Sequence, residues 1–273
     1  MSLGVADFLA GATLRRDGRA NAAVTYTALA TSVGAVIALL AYPIATPETF
    51  SRSDVLWAVA AGISFGVALP LLMIGMARGP MAIVAPVIGL TSLAVPATIG
   101  PLLGDVLSGL EVVGLLLAFP AAALVALSPH RAEAAFAVGP ALAIAALSGS
   151  MLGASAVFYG QTATESGIGP AVVSQATTAL LLIGIGLTTR LLVRPVQAAV
   201  SIAAWVGILT GVATLTSVLA YQRGPVSIVA AIIGLAPGPA VVLAWLVAHE
   251  RIGRWQLLGF ALGIIAVILF AVG

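Results

Sequence analysis

Asp7 stands alone as a charge in the apolar opening MSLGVADFLAGATL, eight residues before Arg15-Arg16. If Arg15 marks a membrane interface, eight helical residues carry the carboxylate about 12 Å deep. An acid at that depth is costly, and it faces a cavity, a partner or a proton path more often than lipid. On one reading Asp7 binds a proton and a substrate ammonium in turn, which couples their movements. On the other it sits near water and caps the start of a short helix. Tyr26, Tyr159 and Gln175 complete the candidate substrate-binding set, early in the second apolar run, in the sixth and in the seventh. Their polar ends need partners in lipid, so a central cavity is their expected surrounding. Gln161, Thr214, Thr216, Ser217, Tyr221 and Gln222 are weaker candidates, since serine and threonine in membrane helices mostly bond their own backbone.

Other chemistry is poorly provided for. There is no cysteine, which excludes thiol catalysis, disulfides and cysteine metal sites. His130 and His249 fall in separate loops, so no metal pair is expected. An intramembrane enzyme would need Ser/His, HExxH or paired aspartates at depth, and a nucleotide-driven pump a phosphate cradle; the sequence has none of these. No enzyme activity, cofactor or metal is therefore expected. The net charge is +2 without a basic patch, which argues against a nucleic-acid partner. All eleven basic residues are arginine, a usage associated with GC-rich bacterial genomes.

The elements that would position these residues are membrane helices. Hydrophobic residues make up 61% of the chain and charged ones 7%, against about 25% charged in soluble domains. Apolar runs long enough for a hydrocarbon core of about 30 Å recur at 21–43, 55–77, 80–103, 109–128, 136–162, 168–190, 198–222, 224–248 and 255–272. A tenth at 1–14 reaches only about 21 Å, so it is short or lacks its natural start. Its charge follows the apolar run and no small-residue cleavage site appears, so it does not read as a signal peptide. The expected fold is an all-α polytopic membrane protein of ten transmembrane helices, the first one short, in the cell membrane of a bacterium. Gly-Pro pairs at 79–80, 139–140, 169–170 and 224–225 mark helix starts. Gly62/Gly66, Gly149/Gly153, Gly207/Gly211 and Gly259/Gly263, spaced four apart, give flat faces for close helix packing.

The chain also repeats. GISFGVALPLLMIGMARGPMAIVAPVIGL from Gly62 returns as GILTGVATLTSVLAYQRGPVSIVAAIIGL from Gly207, a shift of 145 residues. That shift carries Arg78 onto Arg223, Asp105 onto Glu250 and Gly114 onto Gly259. With a small gap, Val24-Thr25-Tyr26 falls on Val173-Ser174-Gln175. Residues 1–134 and 135–273 are thus expected to be two five-helix copies. An odd number of crossings makes the second copy enter from the opposite face. Two such inverted copies can exchange conformations, so that a site between them opens alternately to either side. Asp105 and Glu250 are expected to cap the following helix or pair locally, and Arg78 and Arg223 to snorkel to the interface.

The motif A-x-G-P-x-x-[IV]-[VA]-A, followed by Asp or Glu with Gly nine residues on, reads Ala77-Arg78-Gly79-Pro80 through Ala85, with Asp105 and Gly114, in the first copy. In the second, Gln222-Arg223-Gly224-Pro225 through Ala230, with glutamine in place of the leading alanine, is followed by Glu250 and Gly259. With Gly4 through Gly11 and Arg15-Arg16, this resembles the EamA-type members of the drug/metabolite transporter superfamily. The resemblance covers essentially the whole chain. It implies ten helices and export of small metabolites, with amino acids, related compounds and drugs among the substrates, in a monomer or homodimer within the lipid bilayer. Proton coupling through Asp7 is an added expectation; the alternatives are an uncoupled uniporter and a non-transporting membrane subunit. Charge and resemblance imply opposite orientations. Nine arginines fall in the loops after odd-numbered spans and only Arg52 and Arg223 in the others, which puts both termini outside the cytoplasm. The resemblance implies cytoplasmic termini, and the charge count of this chain is preferred.

Overall fold

A computed structural model describes residues 22–43, 49–78, 81–126, 138–235 and 253–273. Among these residues the chain is all-helical, with nine α-helices and one 3-10 turn at Thr164–Ser166. The helices are α1 (Ala23–Ala41), α2 (Arg52–Arg78), α3 (Met81–Leu102), α4 (Gly109–Ala126), α5 (Val138–Gly160), α6 (Gly169–Thr188), α7 (Gln197–Tyr221), α8 (Val226–Gly234) and α9 (Arg254–Val272). Six of them contain spans long and apolar enough to cross a membrane: Val24–Ala41, Arg52–Leu72, Gly139–Gly160, Gly169–Thr188, Ala199–Tyr221 and Arg254–Val272. Large apolar side chains such as Leu40, Leu180 and Ile264 are exposed on these helices. A helix that is apolar all round needs protein or hydrocarbon on every side, so these outward faces suit lipid. The expected first span, 1–14, lies outside the described residues, as does most of 224–248 beyond α8.

Helix starts follow local chemistry. Ser51 and Asp54 form a reciprocal cap on α2: the Ser51 amide donates to Asp54 Oδ2 at 3.0 Å and the Asp54 amide to Ser51 Oγ at 3.1 Å. Ser108 and Glu111 do the same for α4, at 2.6 and 3.2 Å. Pro170 occupies the first turn of α6, where no amide donor is needed.

The described residues divide into two compact units, each drawing on both halves of the chain. The first comprises Met1–Pro70 and Phe158–Arg223. Within it α1 lies along α7, burying Ala22 and Tyr26 against Ala199 and Ala203, and Ala30 against Val206. Residue numbers rise together along the contact, so the two helices run parallel. Gly207 makes the closest approach: a methyl there would lie 2.5 Å from the Ala30 carbonyl oxygen and 2.6 Å from Val33 Cβ. One turn on, a methyl at Gly211 would lie 3.3 Å from Ile37 Cβ. α2 lies along α6 in the same manner. A methyl at Gly62 would be 2.5 Å from the Ser174 carbonyl oxygen and 2.8 Å from Thr177 Cβ, and one at Gly66 would be 2.8 Å from Leu181 Cδ2. α1 and α6 run in opposite directions. Gln175 meets Gly34, whereas the link after α6 returns to the start of α1, where Val193 and Val196 bond to Thr25 and Tyr26.

The second unit comprises Leu71–Val157 and Gly224–Gly273. Leu93 of α3, Leu115 and Ala118 of α4, Ala231 of α8 and Ala266 of α9 form its core. α4 and α9 pack antiparallel through two glycines. A methyl at Gly114 would lie 3.1 Å from the Ala266 carbonyl oxygen and 2.9 Å from the Phe270 ring; one at Gly259 would lie 3.0 Å from the Ala121 carbonyl oxygen and 2.8 Å from the Val125 amide. α5 rests on α3 through Gly149, against Ile88 and Thr91, and through Gly153, whose methyl would be 2.7 Å from the Ser92 carbonyl oxygen. Pro96, inside α3, has no amide to offer that carbonyl, and the bare glycine lets α5 cover it.

Candidate functional site

The first unit concentrates its buried polar side chains where α5, α6 and α7 meet. Tyr159, near the end of α5, donates its hydroxyl to Ser174 Oγ at 2.9 Å, and Ser174 donates on to the Ala171 carbonyl at 3.1 Å. The Tyr159 ring stacks on Tyr221, with centroids 6.3 Å apart and planes 19° from parallel. Beside Ser174, Gln175 is 3% exposed. Its carboxamide reaches the middle of α1 at Gly34, close to the Gly207 carbonyl of α7. Its Nε2 has no hydrogen-bond partner among the described residues. An unmatched buried donor costs about 1–3 kcal/mol, so the amide does not stabilise the fold through this nitrogen.

A second polar cluster closes one end of the unit. Gln222 Nε2 shares its hydrogens among Thr162 Oγ1 and Ser166 Oγ, both at 3.1 Å, and the Gly167 carbonyl at 3.0 Å. Asp54 Oδ1 accepts from the Ala163 amide at 2.9 Å. These contacts pin the α5–α6 link to the end of α7 and the start of α2. They are satisfied by backbone and hydroxyl groups and so read as structural, although Gln222 Oε1 is buried without a partner among the described residues.

The four expected site residues separate. Asp7 lies outside the described residues. Tyr159 and Gln175 border one region, through Ser174. Tyr26 does not join them: its ring packs on Ala199 and Ala203 at the start of α7, and its hydroxyl accepts from the Val196 amide at 2.9 Å. Tyr221 is at the other end of the same helix, roughly 30 Å away at 1.5 Å per residue. The described contacts of Tyr26 hold the α6–α7 link, and Gln175 meets α1 at Gly34, eight residues or about 12 Å further along the helix. The match of Tyr26 with Gln175 also shifts. Ala30, Val33 and Ile37 face Gly207 and Gly211 as Ser174, Thr177 and Leu181 face Gly62 and Gly66, so the partners differ by 144 residues. In that register Gln175 corresponds to Thr31, and Gly34 to Thr178. Sequence reasoning missed Gly34 and Ser174; the 145-residue shift pairs Gly34 with Ala179, one residue off the packing register.

Asp105 caps a distant helix and not the one that follows it. Its Oδ1 accepts from the Val226 amide at 3.1 Å and its Oδ2 from the Ser227 amide at 2.9 Å, at the start of α8. The following helix, α4, already has Ser108 and Glu111. Ser227 Oγ adds a 2.7 Å bond to the same carboxylate. Arg223 is exposed and donates to the Leu219 carbonyl at 3.2 Å, as a snorkelling arginine would. Glu250, His130 and His249 lie outside the described residues. Among the described residues no cluster of metal-ligating side chains occurs.

No protein-family model and no curated protein matches this sequence. Several solved structures are similar; in one, a crystal structure, the likeness covers 99% of this chain and 95% of that one, with a TM-score of 0.75 and 20% identity. At that identity the likeness speaks to fold alone.

Proposed function

We propose that this chain is a membrane transporter of small metabolites, built as two inverted five-helix repeats, 1–134 and 135–273, and working by alternating access in a bacterial cell membrane. The observation that carries this is the reciprocal glycine packing. Gly114 meets residues 266 and 270, and Gly259, 145 residues on, meets 121 and 125, each pair shifted by the same 145. Contacts that map onto each other when the two helices are exchanged imply a local twofold axis between them. Because α4 and α9 are antiparallel, that axis is perpendicular to both, and for helices that cross a bilayer it lies in the membrane plane. The exchange of α1–α7 with α6–α2 repeats the pattern in the other unit. Such symmetry is the basis of alternating access, and it has no evident use in a scaffold.

The EamA-like motifs around Arg78-Gly79-Pro80 and Arg223-Gly224-Pro225 support export as the direction, with amino acids, related metabolites or drugs as cargo. Asp7 is the proposed proton carrier. The test is flux into or out of proteoliposomes, against a panel of amino acids and hydrophobic cations, with and without a pH gradient. Saturable flux of a panel member is expected, and no flux of any member would remove the proposal.

A further inference from the structure

Gln175 stands where the matched packing of α1–α7 and α6–α2 stops being symmetrical. On the α2 side, Thr178 Oγ1 donates to the Gly62 carbonyl at 2.8 Å. The corresponding residue on the α1 side is Gly34, and the corresponding carbonyl is that of Gly207, 3.3 Å from where a Cβ on Gly34 would be. The space of the absent side chain is taken by the Gln175 carboxamide, whose Nε2 lies 2.7 Å from that Cβ position. So the glycine admits a donor from a third helix, and that donor has no acceptor among the described residues. Buried donors in native proteins are almost always matched, so each exception calls for a specific partner or role.

We propose that Gln175 Nε2 is a specificity-determining donor of the transport site, binding an acceptor oxygen, carboxylate or carbonyl, on the solute against the Gly34–Gly207 wall. This rests on the transport function proposed above. The amide nitrogen carries two hydrogens and no lone pair to offer, so it selects oxygen acceptors and gives nothing to an ammonium group. The wall is made of backbone, so a side chain at position 34 would displace the amide from it.

Gln175→Met keeps the length of the side chain and removes the donor. Phenylalanine and phenethylamine, which differ by the carboxylate, serve as the probe pair in proteoliposomes. The expected result is a KM for phenylalanine raised about tenfold or more, the loss of one hydrogen bond to a charged group, with phenethylamine flux unchanged. The purified variant is also expected to melt about 2–4 °C higher, because an uncompensated buried donor is gone. Gly34→Ala, which leaves the amide in the chain but moves it, is expected to raise the same KM. A lower melting temperature for Q175M would mean that the amide has a structural partner, and would overturn the proposal. An unchanged phenylalanine KM in both variants would overturn it too, as would a wild type that moves phenethylamine and not phenylalanine. A wild type that moves no panel member removes transport itself.

Discussion

Gly114 and Gly259 make one contact in two opposite senses: Gly114 lies against the Ala266 carbonyl and Phe270, and Gly259 against the Ala121 carbonyl and Val125, both partners shifted by 145 residues. The approach is set by the missing side chains. Gly259→Ala would place a methyl 2.8 Å from the Val125 amide and 3.0 Å from the Ala121 carbonyl oxygen, and backbone atoms cannot swing aside. A loss of about 1–3 kcal/mol is expected. Gly89, inside α3, has nothing within 4 Å of a built Cβ, so Gly89→Ala is expected to stabilise by about 0.5–1 kcal/mol. Thermal unfolding of the detergent-purified protein checks both signs, and equal effects would mean that the α4–α9 contact is looser than described.

Asp105 holds the start of α8 through two amides and the Ser227 hydroxyl. Asp105→Ala is expected to cost about 1–2 kcal/mol, as loss of a helix cap does. Ser227→Ala should be coupled to it through their shared contact, yet keep a residual cost in the double variant, because the Ser227 hydroxyl also bonds the Pro96 carbonyl at 3.1 Å. A double-mutant thermal cycle measures that coupling. The repeat carries Asp105 onto Glu250, so Glu250→Ala is expected to cost a comparable amount.

Tyr26→Phe leaves the ring against Ala199 and Ala203 but removes the acceptor for the Val196 amide. About 1 kcal/mol of stability is expected to go, with solute KM unchanged. A KM that rises in this variant would return Tyr26 to the binding site.

The helices were legible because bilayer thickness dictates their length: the run at 168–190 is α6 (Gly169–Thr188), and that at 198–222 is α7 (Gln197–Tyr221). The glycine pairs were legible as packing faces because their spacing repeats in both halves. The partner of Asp105 was not, since the amides it meets lie 121 and 122 residues away and the nearby Ser108 and Glu111 give no hint of them. The Tyr26–Gln175 match differs from the packing because three similar residues invited a four-residue gap, whereas the helix contacts shift the two copies by one residue the other way. The unmatched Gln175 amide depends on Gly34, a single glycine among 30, and only coordinates single it out.

Asp7→Asn tests coupling. Asparagine keeps the size and hydrogen-bonding capacity of the side chain but cannot hold or release a proton in the working range. Gradient-driven flux is expected to vanish while counterflow of the same solute survives. A variant that still responds to the pH gradient would leave Asp7 without a part in coupling.

The opposed crossing of the two halves can be read directly, because the chain has no native cysteine to remove. Arg52 and Gln197 are both exposed, open α2 and α7 respectively, and differ by the 145-residue shift. Arg52→Cys and Gln197→Cys, made singly, can be labelled with a membrane-impermeant maleimide in right-side-out and inside-out vesicles. Inverted repeats require one cysteine to react only in the first preparation and the other only in the second. If both react from the same side, the halves cross in the same sense, and alternating access by inverted repeats is excluded for this protein.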